Sequence, residues 1–284
     1  MIKCIAIDMD GTLLTATQQI PAGNIKAIAD AKAQGIEVVI ATGRSYQEAT
    51  FVLKEAGVEV PIICVNGAEV RSIQGEVLSS NPLMKESARE SAMCLIENGV
   101  YFEVYTNNGT FTTDSDIGVS IMVDIFMSAN PDAPLDKVTK AAEVRFNKGL
   151  IKKIDSYDFL FEDNDYQIYK LLAFSFLENR LDTARKSLIE LEGVNVTSSG
   201  YENLEITSLK AQKGIALEAF TKANGISLKE TMAIGDNYND LSMMKMAGRS
   251  VAMGNADEQI KEQCDIVTLT NEESGVAKAI RDIL

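Results

Sequence analysis

The apolar run Ile2 to Ile7 stops at Asp8-Met9-Asp10-Gly11-Thr12-Leu13-Leu14, so a strand-forming segment delivers two carboxylates to its own carboxyl end. At average composition, Asp-x-Asp-Gly-Thr-Leu arises by chance about once in a million positions. Carboxylates this close repel and raise each other's pKa, and a bound cation relieves the repulsion. In an extended chain residues i and i+2 share a face, and Gly11-Thr12 lets the backbone turn with its amides exposed. Taken alone, the segment leaves two readings open. It is either a turn in which Asp8 and Asp10 cap amides, or a site in which one carboxylate ligates metal and attacks while the other handles protons.

The surrounding pattern is that of an α/β fold. Strand Ile2 to Ile7, helix Asn24 to Gln34, strand Ile36 to Thr42, helix Tyr46 to Ala56 and strand Ile62 to Val65 follow one another, with Gly35 and Gly57 closing the helices and Pro61 barring helix before the third strand. Glu37-Val38-Val39-Ile40-Ala41 is apolar without alternation, as in a strand buried on both faces. The rhythm returns from helix Lys213 to Asn224 through strands Thr231 to Ile234, Ser250 to Met253 and Asp265 to Thr268, with helices about Asp240 to Met246, Ala256 to Gln263 and Glu273 to Ile283.

Between these halves the texture changes to α+β. Helix Lys85 to Asn98 precedes a hairpin signal, Tyr101 to Thr106 turning at Asn107-Asn108-Gly109 into Thr110 to Thr113. A helical stretch, strand Lys170 to Phe176, helix Asn179 to Leu191 and strands near Val194 to Ser198 and Asn203 to Ile206 complete it, and Asn130 to Lys140 reads as a loop leading into a helix. The economical arrangement is a core of 1–81 and 200–284 interrupted by an inserted domain, 82–199, with hinges near Asn81-Pro82 and around Ser198 to Glu202. Substrate is then expected between two bodies.

Composition narrows the chemistry. With no histidine in 284 residues, Ser-His-Asp and Cys-His systems and His-ligated metals are excluded, and acid–base work falls to Asp, Glu, Lys or Tyr. Cys4, Cys64, Cys94 and Cys264 show no Cys-x-x-Cys spacing and read as free thiols. No apolar stretch approaches the ~20 residues of a membrane span, and Ile2 to Ile7 is too short for a secretory signal, so a cytoplasmic protein with no membrane partner is expected. A net charge of −14 argues against nucleic acid and against long-range attraction of anions. Any phosphate site must be made positive locally, by a divalent metal and one or two cationic side chains.

In an open parallel sheet ligands collect beyond the carboxyl ends of the strands. The second strand ends in Thr42-Gly43-Arg44-Ser45, where a hydroxyl, an amide and a guanidinium can face an oxyanion, although Thr42 and Ser45 also suit helix capping. The third ends in Asn66-Gly67, a hairpin turn that ranks as lining only. Lys213 opens a helix, where a cation is unhelpful unless an anion is at hand; a surface lysine is the alternative. Strand Thr231 to Ile234 runs into Gly235-Asp236-Asn237-Tyr238-Asn239-Asp240, a loop of oxygen donors suited to a hard cation or, alternatively, an acidic turn capped by Asp240.

Together these segments match, in order, the four motifs of the haloacid dehalogenase superfamily: Asp8 to Thr12, Thr42-Gly43-Arg44, Lys213, and Gly235 to Asp240. Ile63 to Ala68, Leu204-Glu205-Ile206 and Val251 to Ala256 add similarity to the Cof-type subgroup with its large type IIB cap. The resemblance implies a Rossmann-like parallel-sheet core with an inserted α+β cap that selects substrate. It implies Asp8 as the nucleophile and Asp10 as the proton shuttle. It further implies Mg²⁺ held by the Asp8 and Asp236 carboxylates and the Asp10 carbonyl, with Asp240 steadying its waters. Thr42, the amides of Met9 and Gly43, Asn239 and Lys213 are implied to hold the phosphoryl oxygens, with Arg44 and Asn66 available to line the substrate.

Aspartate at position 10, where family ATPases carry Thr, favours turnover of a phospho-enzyme and hence a phosphatase acting on small phosphate esters. Two rivals stand beside it: a phosphotransferase such as a hexose-phosphate mutase, and a non-catalytic Mg²⁺-dependent regulatory protein. A monomer or homodimer fits equally. Tyr101, Phe102, Tyr105, Phe111 and Tyr166 are expected in a core rather than on a ligand.

Overall fold

A computed structural model describes residues 1–129, 135–198 and 202–284. The chain divides into two compact units, Met1–Asn81 with Lys210–Leu284, and Pro82–Leu209. The first segment runs β1 (Cys4–Ile7), α1 (Ala22–Ala33), β2 (Glu37–Ala41), α2 (Tyr46–Glu55), β3 (Ile62–Cys64), β4 (Glu69–Arg71) and β5 (Val77–Ser80). The second unit contains α3 (Lys85–Glu97), β6 (Tyr101–Thr106), β7 (Gly109–Thr112), α4 (Ser115–Ala129), α5 (Leu135–Asn147), β8 (Ile151–Lys153), α6 (Asp158–Glu162), β9 (Ile168–Phe174), α7 (Glu178–Leu188), β10 (Val194–Thr197) and β11 (Asn203–Ser208). The return segment holds α8 (Lys213–Ala223), β12 (Thr231–Gly235), α9 (Leu241–Met246), β13 (Arg249–Ala252), α10 (Glu258–Lys261), β14 (Ile266–Val267) and α11 (Gly275–Arg281).

The first unit is built on one sheet, ordered β14-β13-β12-β1-β2-β3-β4-β5. From β14 to β3 the pairing is parallel, and β4 and β5 are added antiparallel at the edge. β1 lies at the centre, and all four of its residues are buried, as expected for a strand covered on both faces. Cys4 and Ala6 pack with Val39, Ala216, Leu217, Phe220 and Met243 in one apolar cluster. Alternation sends Ile5 and Ile7 to the other face. The chain leaves β1 for β2 and β3 on one side and comes back as β12 on the other. That reversal places the carboxyl ends of β1 and β12 side by side, with Ile7 opposite Ile234.

The second unit has its own sheet, β10-β11-β9-β6-β7-β8, antiparallel except for the β7–β8 pair. Its core joins Phe102, Val104, Phe111, Leu160, Leu171, Ala173, Leu181 and Ile206, with Tyr166 packed at the margin. Phe102 stacks on Tyr157 with centroids 4.6 Å apart. Tyr105 is buried and Tyr101 half-buried. α4 and α5 carry a small cluster of their own, Val123, Val138 and Ala142.

Three expectations are corrected. Residues 203–208 do not belong to the catalytic core as the 200–284 boundary required: β11 pairs with β9 and β10, so the division falls after Leu209 rather than at 199/200. Leu135 to Lys140 is helix, the first part of α5, rather than loop; residues 130–134, the rest of that stretch, and 199–201, within the expected hinge, lie outside the described residues. The strand placed at Lys170 to Phe176 begins at Ile168 and ends at Phe174. β5 and β8 carried no signal strong enough to be read. The four cysteines are free thiols, two buried and two half-buried. Among the described residues no helix is long and apolar enough to cross a membrane.

Candidate active site

The site forms where β1 and β12 end. Asp8 follows β1 and its amide donates to Ile234 O at 3.0 Å, which sets it beside the loop after β12. The chain then makes one wide turn, Leu13 N to Asp8 O at 3.2 Å and Leu14 N to Met9 O at 2.9 Å, an i+5 geometry that recurs at functional sites. Gly11 makes that turn possible at φ +77°; a Cβ there would lie 2.3 Å from Asp236 Oδ2. The Thr12 hydroxyl donates to Asp236 Oδ1 at 2.6 Å, and Asn255 Nδ2 donates to Gly11 O at 2.8 Å, so both walls of the crevice are tied to the turn.

Lys213 opens α8 with its side chain almost fully buried. Its Nζ donates to Asp8 Oδ1 and to Asp240 Oδ1, each at 2.6 Å. Asp240 spends its other oxygen on the loop's own backbone, accepting from Asp236 N at 3.0 Å and Asn237 N at 3.1 Å. Asp8, Asp236 and Asp240 each present an oxygen within 4.8 Å of the others. Asp10 contributes no side chain to this group, because its carboxylate turns to Arg44.

The electrostatics follow from three acids around one buried ammonium. Burial holds the Asp8 carboxyl well above the usual range, with Asp240 and Asp236 reinforcing the push and Lys213 opposing it. Burial likewise takes Asp236 up to about 6, against the Thr12 hydrogen bond and with help from Asp240. For Lys213 burial acts downward, but Asp240 and Asp8 more than reverse it and keep the ammonium charged. One cation does not balance three carboxylates in this setting. Hard oxygen donors short of two positive charges are the chemistry of a divalent-cation site such as that for Mg²⁺.

The second strand end brings Thr42, Gly43 and Arg44 alongside. Thr42 is fully buried, its amide donating to Ile63 O at 2.8 Å. Its hydroxyl accepts from Arg44 N at 3.1 Å, which leaves the hydroxyl hydrogen for another acceptor. Ser45, rather than Thr42, caps α2, in a capping box with Glu48. Asn66 sits in a run of three left-handed residues, Val65, Asn66 and Gly67 at φ +48°, +56° and +97°. Its Oδ1 accepts from Asn239 Nδ2 at 3.2 Å and lies 3.2 Å from where a Gly43 Cβ would be. Among the described residues Asn239 Oδ1 is buried without a hydrogen-bond partner.

Thus Asp8, Lys213, Asp236 and Asp240 form one group at the ends of β1 and β12, and Thr42, Asn66 and Asn239 are linked in a second, with Gly43 beside Asn66. Met9 is buried at the foot of the turn. The sequence reading quoted Thr12 and Asn255 only inside longer motifs and gave neither a contact of its own. Thr12 lay inside the first motif, and its acceptor 224 positions away has no local signal.

The residues matched, 5–280, are those of the haloacid dehalogenase-like hydrolase family, and the chain belongs to it. It is therefore an enzyme of a hydrolase family. It is 38% identical over 285 residues to phosphatase YwpJ of Bacillus subtilis, with all of both chains covered. It is 36% identical to 5-amino-6-(5-phospho-D-ribitylamino)uracil phosphatase YwtE of the same organism, covering 100% of this chain and 98% of that one. A solved haloacid dehalogenase-like hydrolase from B. subtilis superposes with a TM-score of 0.89 at 38% identity, with 100% of each chain covered.

Proposed function

We propose that the protein is a Mg²⁺-dependent phosphatase that hydrolyses phosphate monoesters of small metabolites through an aspartyl-phosphate on Asp8. The observation that carries this reading is Lys213 Nζ at 2.6 Å from both Asp8 and Asp240, with Asp236 in the same cluster. Asp8 and Asp236, with the Asp10 carbonyl, would hold Mg²⁺, and Asp240 would steady that shell through its backbone contacts. When bound, the ion supplies the charge that keeps Asp8 ionised and neutralises the phosphoryl oxygens.

Phosphoryl transfer asks mainly for positioning and neutralisation. Asp8 attacks phosphorus, the ester P–O bond breaks, and the leaving oxygen takes a proton from Asp10. Water then attacks the phospho-aspartate, giving its proton to Asp10, and the bond to Asp8 opens. The amides of Met9 and Gly43, the free hydroxyl hydrogen of Thr42, Lys213 and Asn239 hold the phosphoryl oxygens. The second unit chooses the ester. Full-length relatives named as phosphatases of a ribitylaminouracil phosphate and of pyridoxal phosphate support this division, since one framework serves different leaving groups.

The test is a screen of sugar, nucleotide and cofactor phosphates for orthophosphate release with and without Mg²⁺. Release that needs the metal and drops at least about a thousandfold in Asp8→Asn is expected. Full release by Asp8→Asn ends the nucleophile assignment. Isomerised sugar phosphate in place of free phosphate would identify a phosphotransferase.

A further inference from the structure

Three asparagine carboxamides hold the turn after β1 by its carbonyl oxygens. Asn255 Nδ2 donates to Gly11 O at 2.8 Å, Asn24 Nδ2 to Leu13 O at 3.2 Å and Asn271 Nδ2 to Leu14 O at 2.9 Å. Two of them also work from the other end: Asn255 Oδ1 accepts from Asn271 N and Asn24 Oδ1 from Ala277 N, each at 3.0 Å. The turn is thereby braced against the segment from Asn255 to the start of α11. Asparagine suits the task, because it carries a donor and an acceptor on one short planar group, whereas an ionised carboxylate has no hydrogen to offer a carbonyl.

The three differ in what they hold. Asn24 and Asn271 secure the far end of the turn, at Leu13 and Leu14. Asn255 secures the Gly11–Thr12 peptide, and both residues of that peptide lie against Asp236. The Thr12 hydroxyl donates to Asp236 Oδ1 at 2.6 Å, and a Cβ on Gly11 would fall 2.3 Å from Oδ2. A continuous path of contacts therefore runs from Asn255 through the Gly11–Thr12 peptide to one acid of the carboxylate cluster. Asn255 is itself exposed, so its hydrogen bonds compete with water and add little to folding stability.

We propose that Asn255 is a positioning residue that fixes the carboxylate of Asp236 through the Gly11–Thr12 peptide and so sets the affinity for Mg²⁺. This rests on the Mg²⁺ reading above. Without the Asn255 amide the peptide is free to turn, the Thr12 hydroxyl parts from Oδ1, and Asp236 has to be ordered at the moment of binding. That ordering is subtracted from affinity. Groups that orient a metal ligand from behind are typically worth about 10- to 100-fold in metal affinity.

The experiment titrates Mg²⁺ alone, without substrate, into native protein, Asn255→Ala, Thr12→Val, the double variant and Asn271→Ala by isothermal calorimetry, and records each melting temperature in metal-free buffer. Asn255→Ala is expected to bind Mg²⁺ about 10-fold more weakly while melting close to native in the absence of metal. Thr12→Val should show a similar loss, and the double variant should be no weaker than the weaker single one, because both remove the same path. Asn271→Ala keeps the backbone amide that Asn255 accepts from, and should melt lower yet bind Mg²⁺ with native affinity.

Native affinity in Asn255→Ala would overturn the proposal, as would multiplied losses in the double variant. An equal loss in Asn271→Ala would overturn it too, by showing a general loosening of the turn in place of a path to Asp236. The native titration separates the two levels. If native protein takes up Mg²⁺ and Asn255→Ala takes it up equally well, only the role of Asn255 falls; if native protein takes up none, the Mg²⁺ reading and the proposal fall together.

Discussion

Lys213 illustrates how little a single residue's surroundings in sequence reveal about its burial. A lysine at a helix start reads by default as a surface residue, yet this one lies 1% exposed between two acids. Its order in the chain relative to the other three motifs carried the signal; its own neighbours did not. Removing it leaves Asp8 and Asp240 buried with no counter-charge. Breaking a buried pair in this way costs about 3–5 kcal/mol, so Lys213→Met should lower the unfolding free energy by that amount, read as a lower urea midpoint, in metal-free buffer. An unchanged midpoint would mean the acids find another way to be neutralised. Arg44 was less legible: the Thr-Gly-Arg motif suggested substrate lining, whereas its bond to Asp10 spans 34 positions and depends on how the first turn folds back.

At the scale of elements, long or strongly patterned segments were readable and short edge pieces were not. β1 and β2 announced themselves as unbroken apolar runs, and Gly35 and Gly57 marked the ends of α1 and α2. β5 is a four-residue edge strand with its first two residues exposed, and β8 has three residues of which one is buried. Neither spans enough positions to show a period. β11 alternates clearly and reads among the strands of the inserted block, but alternation specifies a face and not a partner, so the boundary at 199/200 still cuts it from the sheet it completes.

The edge strand β14 is also joined to its neighbour β13 by a reciprocal clasp. Ser250 N and Oγ donate to Asp265 Oδ2 at 2.8 and 2.9 Å, and Asp265 N donates to Ser250 Oγ at 2.9 Å. The Ser250 amide and hydroxyl hold the Asp265 carboxyl below its ordinary value. A depressed folded pKa contributes stability that is present above the unfolded value, about 4, and is lost as pH falls through the folded one. Asp265→Asn should therefore melt below native protein at neutral pH, with the gap closing below about pH 4. A gap independent of pH would assign the clasp to the backbone contacts alone.

For the whole molecule, a charge of −14 acts on every anion that approaches, while the positive charge of the proposed phosphoryl site, Lys213, is local. Screening should relieve the long-range repulsion without reaching the buried Lys213. At saturating Mg²⁺, kcat/KM for a phosphate ester is expected to rise about twofold between about 10 and 150 mM monovalent salt. A steep fall would reveal a steering surface that the net charge conceals.

The chain by itself determined the kind of fold and the order of its four motifs, because apolar period, turn residues and motif sequence are local properties written in consecutive positions. Tertiary structure alone decided that Asp240 sits in the carboxylate cluster, that Thr12 grips Asp236, that Arg44 holds Asp10, and that 203–208 completes the second sheet. Each of these depends on which segments become neighbours in space, and neighbours brought together from positions 34 or 224 apart leave no periodic trace in the residues between them.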